Sequence, residues 1–495
     1  MDNKGLRTEL CIFTCHSQKY GIGTPKEYVE AAKDYGVGAL AITDLYSTEG
    51  YREFYKECLA NDITPILGVS LTIEDYETVI LAKNDKGIST INKLTSLREF
   101  ISFDDLKNNN EDIISIGIAN NEIYQEEALK HFDYIGIDVS EPYELSDILE
   151  TSEYQDKVVV LSGAQYISKE DKFASDLLLG FDSRRNKTLK NTNELLIDFP
   201  AQYVIDNPNR ILGEIHYDDP LPTTSEDIKL NFISEKAFRE LAQKKAKEKL
   251  GELSPKEQKR LDEELEGILT YGYHNMFYVA SELASFYKGK FMMKGGTSNS
   301  FLAYVLGISK INPLEWNLHH GVFLGYDYSR APYFNFDIDF GCELDTYHFL
   351  ENLLGKGKVL KTYNNIKHSQ EDVAKLLNDY LSGNEGTRYR SNIRNSKIFK
   401  LLDTSKDVEE VDFRYVFAPS LEEVYKYSPV TKDEEGIYHT TNNFYESLSS
   451  FPHLAVTRSD YASELKAISD QLGVGFFDLP YDDSKVLSSF VNDDA

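Results

Sequence analysis

Seven short runs of apolar residues recur between residue 8 and about residue 165, separated by amphipathic segments. The runs read ELCIFTC, VGALAIT, ITPILGV, TVILAK, IISIGI, YIGIDV and KVVVLSG. Buried strands that alternate with amphipathic helices are typical of βα units around a mostly parallel sheet or barrel. The pattern predicts an α/β fold that begins with a (β/α) barrel.

Two helix starts carry the same local signal, an N-cap hydroxyl, a first-turn proline and a capping-box glutamate. These triplets are Thr24, Pro25, Glu27 and Ser254, Pro255, Glu257. Gly36 predicts the end of the first helix. The second signal precedes apolar residues at the spacing of one helix face, Leu261, Leu265, Ile268 and Leu269, so residues 225–290 are predicted to be helical.

The run YFNFDIDFGCE places Asp337 and Asp339 between Phe336, Ile338 and Phe340. Residues two apart in a strand share one face, about 6.6–7 Å apart along the chain. Two like charges among apolar side chains are costly unless a cation lies between them. The run therefore predicts a cation site, and the alternative is an exposed polar edge strand.

The charge balance argues against binding of nucleic acid by this chain without a basic partner or a local basic patch. The 495 residues include 53 Lys and Arg against 82 Asp and Glu, a formal charge of −29, and affinity for phosphodiester backbone comes from basic residues. The most basic stretch, LSGNEGTRYRSNIRNSK at 381–397, holds Arg388, Arg390 and Arg394. It is either a solvated loop or a phosphate contact.

Cysteine usage and hydropathy indicate the compartment. None of the four cysteines has CxxC spacing, so neither a disulfide framework nor a thiolate zinc site is predicted. The N-terminal MDNKGLRTEL lacks an apolar core, and nowhere do about 18 apolar residues run together. The sequence predicts a cytoplasmic protein with no membrane span, organised in about two to four domains.

Six motifs, in this order, resemble the C-family replicative polymerases, the bacterial DNA polymerase III alpha subunits with an N-terminal polymerase and histidinol phosphatase (PHP) domain. The PHP-like motifs are TCHSQKYGIGTPKEYVEAAKDYGVGALAITD, FYKECLANDITPILGV and QYISKEDKFASDLLLG. The palm-like motifs are LSPKEQKRLDEELEGILTYGYHNMFYVASELASF, KGGTSNSFLAYVLGISKINPLEWNL and FDIDF. The resemblance implies a PHP-like barrel followed by an α+β, nucleotidyltransferase-like palm and a helical thumb.

The resemblance also implies chemistry. C-family palms hold two Mg²⁺ ions on three carboxylates, which serves in-line phosphoryl displacement, and Asp337 and Asp339 match two of the three. It implies DNA and deoxynucleoside triphosphates as partners, with replisome proteins as further candidates. A glycine- and serine-rich triphosphate cradle corresponds to Lys294, Gly295, Ser298 and Ser300. Lys294 replaces an arginine there, and a plain helix-entry turn is the alternative.

The third palm carboxylate is not evident. Its position falls on Thr457 or Arg458, neither of which can bind a metal as a carboxylate does. Asp460 is the nearest acid, but it is displaced by two or three residues and would need a bulge or register change. The expected basic fingers signature reads SKDVEEVDFRYVFAPSLEE, and the chain is expected to stop before the fingers.

The PHP metal site is similarly reduced. Of the histidines and acids that form such a metal cluster, only His16 and Asp44 remain, while Thr14, Leu45 and Gln165 stand at other ligand positions. No metal is predicted there. His16 and Asp44 are predicted to be a polar pair at the mouth of the barrel, against the alternative of a working metal site.

The predicted domain ranges divide the chain into five parts. They are a PHP-like barrel at 1–205, a helical linker and start of palm at 206–290, a palm segment at 291–345, a thumb-like irregular helical segment at 346–425, and the remaining palm at 426–495.

Three functions fit these features. The first is a diverged, polymerase-like protein with weak or lost chemistry that binds replication partners, primed DNA or nucleotide. The second is a minimal DNA polymerase using Mg²⁺, in which Asp460 or a partner's residue completes the site. The third is a PHP-type exonuclease or phosphoesterase.

Overall fold

The computed structural model describes residues 6–17, 20–119, 130–139, 156–180, 186–222, 228–288, 290–339, 343–383, 398–474 and 484–489. The predicted basic residues Arg388, Arg390 and Arg394 lie outside them. The chain divides into two compact units. The barrel unit comprises Met1–Thr224, Tyr363–Val411 and Leu421–Ser450, and the second unit comprises Ser225–Thr362, Asp412–Ser420 and Phe451–Ala495.

The seven apolar runs of the N-terminal region all form strands of one sheet, in sequential order. The strands are β1 (Arg7–Ile12), β2 (Val37–Ile42), β3 (Thr64–Ile73), β4 (Tyr76–Ala82), β5 (Ile113–Ile118), β6 (Tyr134–Asp138) and β7 (Val158–Leu161). Only β4 runs antiparallel to its two neighbours. Just beyond β7, Ala164 makes a parallel bridge to Ile12, so the sheet nearly closes on itself. The predicted barrel is confirmed.

Helices flank these strands as the capping signals indicate. They are α1 (Pro25–Asp34), α2 (Tyr51–Ala60), α3 (Asp85–Leu97), α4 (Phe103–Asn108), α5 (Lys172–Leu179), α6 (Thr192–Asp198) and α7 (Tyr203–Leu212). The capping box of α1 is confirmed, because the Thr24 hydroxyl accepts from Glu27 N–H while the Glu27 carboxylate accepts from Thr24 N–H. Gly36 follows the helix with a φ of +71°, which favours glycine.

The second unit begins with three successive helices. The elements of Ser225–Thr362 are α8 (Glu235–Leu250), α9 (Pro255–Thr270), α10 (His274–Phe286), β8 (Phe291–Lys294), α11 (Phe301–Val305), α12 (Gly321–Leu324), β9 (Asn335–Ile338) and α13 (Glu343–Leu354). The capping box at Ser254 and Glu257 is confirmed, and the four predicted apolar residues of α9 are buried.

Two later segments, Tyr363–Val411 and Leu421–Ser450, belong to the barrel unit. The elements that lie in them wholly or in part are β10 (Val359–Lys367), α14 (Gln370–Gly383), β11 (Ser405–Phe417), α15 (Leu421–Val424), β12 (Val430–Lys432) and β13 (Tyr438–Thr440). The first residues of β10 and the last residues of β11 are assigned to the second unit. Val373, Tyr380 and Leu401 share a buried cluster with Phe173 and Leu177 of α5. Such packing joins residues about two hundred positions apart, and local periodicity does not contain that information.

The last elements of the chain are one strand and two helices. They are β14 (His453–Arg458), α16 (Asp460–Leu472) and α17 (Ser484–Ser489). β14 joins the sheet that contains β9. β9 lies between β8, which is antiparallel, and β14, which is parallel. Among the described helices, none is both long and apolar enough to span a bilayer.

Candidate functional site

The central strand β9 carries the first predicted acid into the interior of the second unit. Phe336 and Ile338 are fully buried on either side of Asp337, and Asp337 is only 2% exposed. Asp337 is in register with Met292 of β8 and Thr457 of β14. The exposed edge strand proposed as the alternative is therefore wrong, since β9 is paired on both sides.

Asp337 is compensated by a lysine. The Lys294 ammonium lies 2.8 Å from Asp337 Oδ2, at the end of the neighbouring strand. Oδ1 of Asp337 is buried and has no hydrogen-bond partner. One carboxylate oxygen is thus in an ion pair, and the other keeps unused acceptor capacity.

Asp339 is compensated by a second lysine, on α16. Its Oδ1 accepts a hydrogen bond of 2.7 Å from the Ser463 hydroxyl, and its Oδ2 lies 2.7 Å from the Lys466 ammonium. Ser463 and Lys466 are three residues apart, so they lie on one face of the helix. Both carboxylates of the predicted pair therefore have a cationic side chain of the same chain beside them.

Thr457 occupies the position predicted for the third acid. It is the in-register partner of Asp337 in a parallel ladder, where paired residues project to the same side. The Thr457 hydroxyl donates to Asn335 Oδ1 at 3.2 Å. Arg458, one position on, is exposed.

Asp460 is an exposed residue in the first turn of α16, where an acid complements the partial positive charge of a helix N-terminus. That placement accounts for its residue type without a metal. Its role as a third metal ligand stays a prediction.

The glycine- and serine-rich element is occupied by a carboxylate of the chain itself. Gly295, at a φ of +81°, begins a 3₁₀ helix that runs to Asn299 and contains the partly exposed Ser298. The fully buried Glu264 accepts hydrogen bonds from the Ser300 hydroxyl and from the first two backbone N–H groups of α11. Arg260 donates to the same carboxylate at 2.5 Å.

The Ser300 oxygen also caps α11 by accepting from Ala303 N–H. The donors that a triphosphate would use at this helix start are therefore already satisfied by Glu264. Of the four predicted cradle residues, Lys294 contacts Asp337 instead and Ser300 is a buried helix cap.

In the barrel unit, His16 and Asp44 have different partners. Asp44 is fully buried and accepts hydrogen bonds from the Thr14 N–H, the Thr14 hydroxyl and the Ser17 hydroxyl at 2.5, 2.7 and 2.9 Å. The His16 ring instead faces two glutamates of the α2 region, with Nε2 3.4 Å from Glu53 and Nδ1 3.9 Å from Glu49.

The charged groups around His16 shift one another's pKa values. Burial alone would lower the pKa of His16, but Glu49 and Glu53 stabilise its protonated form and raise that pKa to about 10. The hydrogen bond with His16 in turn lowers the pKa of Glu53. Burial raises the pKa of Asp44, although His16 and the Thr14 hydrogen bonds oppose that shift.

The described residues do not fit the two-magnesium site that the resemblance implies. No three or more of their His, Cys, Asp or Glu side chains form a group that could hold a metal ion. Magnesium needs several hard oxygen ligands. Here Asp339 uses both oxygens on Ser463 and Lys466, Thr457 lacks a carboxylate, and Asp337 Oδ1 is the single carboxylate oxygen of the pair without a hydrogen-bond partner.

Sequence reasoning missed the residues that compensate these acids. They are Lys466 and Ser463 beside Asp339, Glu264 at the start of α11, and Glu49 and Glu53 beside His16. The signal for Lys466 was its three-residue spacing from Ser463 directly after β14. Glu264 and Ser300 are separated by 36 positions, and no local pattern joins them.

Two family models match the chain. The PHP domain matches residues 12–163, and the bacterial DNA polymerase III alpha NTPase domain matches residues 236–440. A DNA polymerase III subunit alpha of Staphylococcus epidermidis is 28% identical over 63% of this chain and 31% of its own length. One from Staphylococcus aureus is 25% identical over 64% of this chain and 31% of its own length. The chain thus spans about a third of the length of these curated relatives.

Solved structures give only a weak likeness. An amidohydrolase from Chromobacterium violaceum is 12% identical, with a TM-score of 0.25, over 39% of this chain and 96% of that chain. The lesion-specific endonuclease from Pyrococcus furiosus has the same identity and TM-score over 32% of this chain and 48% of that chain. Scores this low carry no argument about fold or function.

Proposed function

This chain is a diverged relative of the bacterial DNA polymerase III alpha subunits, and from that premise we propose that it acts in DNA replication or repair by binding rather than by polymerising. Its nucleotidyl-transfer chemistry is weak or lost. Its partners are primed DNA or replication proteins, and it acts in the cytoplasm. The family relation indicates divalent-metal use in general, and the proposal is that this chain no longer depends on it.

The observation that carries the proposal is the compensation of Asp337 and Asp339 by Lys294 and Lys466, at 2.8 and 2.7 Å. Two-metal transfer needs carboxylates that share their charge with the metal ions. A carboxylate that is already neutralised by an ammonium group must give up that ion pair before it binds a cation. The pair is therefore better suited to holding the sheet and α16 together than to catalysis.

The buried Glu264 at the start of α11 also supports the loss of nucleotidyl-transfer chemistry. A triphosphate at the start of α11 would meet the buried carboxylate of Glu264, which already accepts the N–H groups of Phe301 and Leu302. Backbone N–H groups at a helix start bind phosphate only when they are free to donate. Glu264 thus disfavours nucleotide at the predicted cradle.

Primer extension tests the proposal. The purified chain, given primed template, all four deoxynucleotides and Mg²⁺, is expected to extend no more primer than its Asp337→Asn variant. Fluorescence anisotropy of the labelled primed template is measured in the same buffer and is expected to report binding by both proteins. Clear extension that disappears in Asp337→Asn would contradict the proposal.

Two further variants identify which alternative holds if activity is found. Loss of extension in Asp460→Ala would make that residue the third ligand of a minimal polymerase, whereas retained extension would refute that role. Manganese-dependent release of nucleotides from single-stranded DNA, abolished by His16→Ala, would instead establish the PHP-type nuclease.

A further inference from the structure

A cleft of about 360 Å³ lies in the second unit, where the C-terminal ends of α8, α10 and α11 meet. We propose that this cleft binds phosphate groups of an anionic ligand through Lys245, Lys249, Lys288 and Lys310. The inference rests on the proposed function in that a nucleic acid backbone is one source of such phosphates. The other source is a free polyphosphate, and the chemistry of recognition is the same for both.

The size and lining of the cleft suit a small anion. Its volume falls in the range of small-ligand sites, about 300–1,000 Å³. Among its lining residues, four are lysines and Glu248 is the one acid. The Glu248 carboxylate also lies 3.8 Å from the ammonium group of Lys244, which does not line the cleft. Part of the negative charge of Glu248 is therefore offset by a lysine outside the cleft.

The three helix ends do not neutralise the lysines. A helix C-terminus carries about half a negative elementary charge, and α11 has only five residues. Four lysines, of which Lys249 has a lowered pKa, still carry more positive charge at neutral pH than the helix ends and Glu248 offset together. This local excess is notable in a chain with a formal charge of −29, because phosphate binding requires a basic patch and the chain as a whole repels anions.

Lys249 is held in place at the cleft wall. Its ammonium donates to the Tyr304 carbonyl at 2.5 Å and lies 3.8 Å from the centre of the Tyr304 ring. Burial, and next the positive charge of Lys310, lower the pKa of Lys249 to about 8. Repulsion between two ammonium groups at one cavity is the kind of cost that a bound anion removes.

Lys288 occupies a position that favours glycine. Its φ of +52° lies in the left-handed region, just after α10, where helices commonly end on glycine. A lysine held in this conformation is strained, and strain of this kind clusters at functional sites. The backbone thus gives a second observation, independent of the charge count, that points to the cleft.

The strain makes a decisive variant available. Lys288→Gly removes one cleft charge and relieves the backbone, so its thermal midpoint is expected to equal or exceed that of the unaltered chain. Its affinity for pyrophosphate is expected to fall about fivefold. The matched control is Lys259→Ala, which removes one exposed lysine of α9 outside the cleft and is expected to change affinity less than twofold.

A charge-reversal pair gives the larger effect. Lys245→Glu combined with Lys310→Glu is expected to weaken pyrophosphate binding more than twentyfold, whereas Lys236→Glu with Lys259→Glu, two exposed positions outside the cleft that change net charge equally, has little effect. Binding is measured by calorimetry with pyrophosphate and by anisotropy with a short labelled single-stranded oligonucleotide. Competition between the two probes supports a shared phosphate site.

The two binding measurements distinguish the two sources of phosphate. Dependence on the cleft lysines for pyrophosphate alone identifies a free polyphosphate ligand, and dependence for the oligonucleotide alone identifies a nucleic acid backbone. Equal binding by cleft and control variants in both arms overturns the inference. Failure of the proposed function is separately visible, since it appears as primer extension lost in Asp337→Asn and requires no cleft variant.

Discussion

Two acidic clusters stand where the resemblance places metal ligands, and they are compensated by different means. In the barrel unit, Asp44, Glu49 and Glu53 surround a single imidazole, His16. In the second unit, two aspartates face two lysines. The first cluster keeps an excess of carboxylates, and the second is balanced one to one.

The difference concerns how far the charge of each cation depends on its acidic neighbours. The ordinary pKa of an imidazole is 6.5, and Glu49 and Glu53 raise that of His16 to about 10, whereas a lysine is protonated up to about pH 10 without any acidic neighbour. The positive charge of the barrel cluster at neutral pH is therefore a consequence of the two glutamates. The second cluster consists of two ion pairs, Lys294 with Asp337 and Lys466 with Asp339, whose ammonium groups need no acidic neighbour to be charged.

The barrel cluster is expected to contribute most to stability through Asp44. Asp44→Ala removes three hydrogen bonds and leaves buried donors of Thr14 and Ser17 unsatisfied, so the free energy of unfolding is expected to fall by about 3 kcal/mol. Urea unfolding followed by circular dichroism measures it. Glu30→Ala, which removes an acid that is 58% exposed in α1, is the control and should cost at most about 0.5 kcal/mol.

The pH dependence of unfolding tests the charge of His16. Its folded-state pKa of about 10 exceeds the ordinary value of 6.5, so its stabilisation is fully present below pH 6.5 and is lost as pH rises to about 10. The unaltered chain is expected to lose up to about 1 kcal/mol per pH unit in that window relative to His16→Gln. Parallel stability curves for the two proteins would show that Glu49 and Glu53 do not hold a proton on the ring.

Removing the two lysines of the second cluster is expected to make the stability of the chain depend on Mg²⁺, a dependence that the unaltered chain lacks. In Lys294→Met/Lys466→Met the two aspartates lose their cations, so Mg²⁺ at about ten times its Kd should stabilise this variant by about 1.4 kcal/mol. Thermal unfolding with and without Mg²⁺ measures the effect.

The unaltered chain should show no such Mg²⁺ effect. Nor should Lys259→Met/Lys290→Met, which removes two exposed lysines of the same unit. A Mg²⁺ shift in the unaltered chain that Asp337→Asn abolishes would show that the lysines do not replace the metal ions.

The sequence was sufficient wherever structure follows from local periodicity. All seven apolar runs became strands of the barrel, and the capping boxes at Thr24 and Ser254 formed as the residue types predict. Thr457 was placed beside Asp337 by alignment with the family, and the parallel register pairs the two residues. These inferences need only neighbours along the chain or a motif of known order.

What the sequence did not reveal depends on distant contacts. Lys466 lies 127 positions from Asp339, and Asn365, which donates to Glu49, lies 316 positions from it. The composition gave 53 basic residues without indicating which of them neutralise the two acids. The packing of Val373 and Leu401 against α5 could not be predicted for the same reason.

The smallest effect is expected for Asp337→Ala. It tests the comparison of the two acidic clusters most directly, because it makes in the second cluster the same Asp-to-Ala change as Asp44→Ala makes in the barrel cluster. Asp337→Ala removes an ion pair whose lysine is 56% exposed, and an oxygen that accepts no hydrogen bond. The freed Lys294 returns to water, so the loss of stability should be at most about 1 kcal/mol. Trp316, the single tryptophan, lies in the second unit, and its fluorescence during urea unfolding follows that unit. A loss as large as that of Asp44→Ala would mean that the aspartate in β9 supports the fold as strongly as the buried acid of the barrel does.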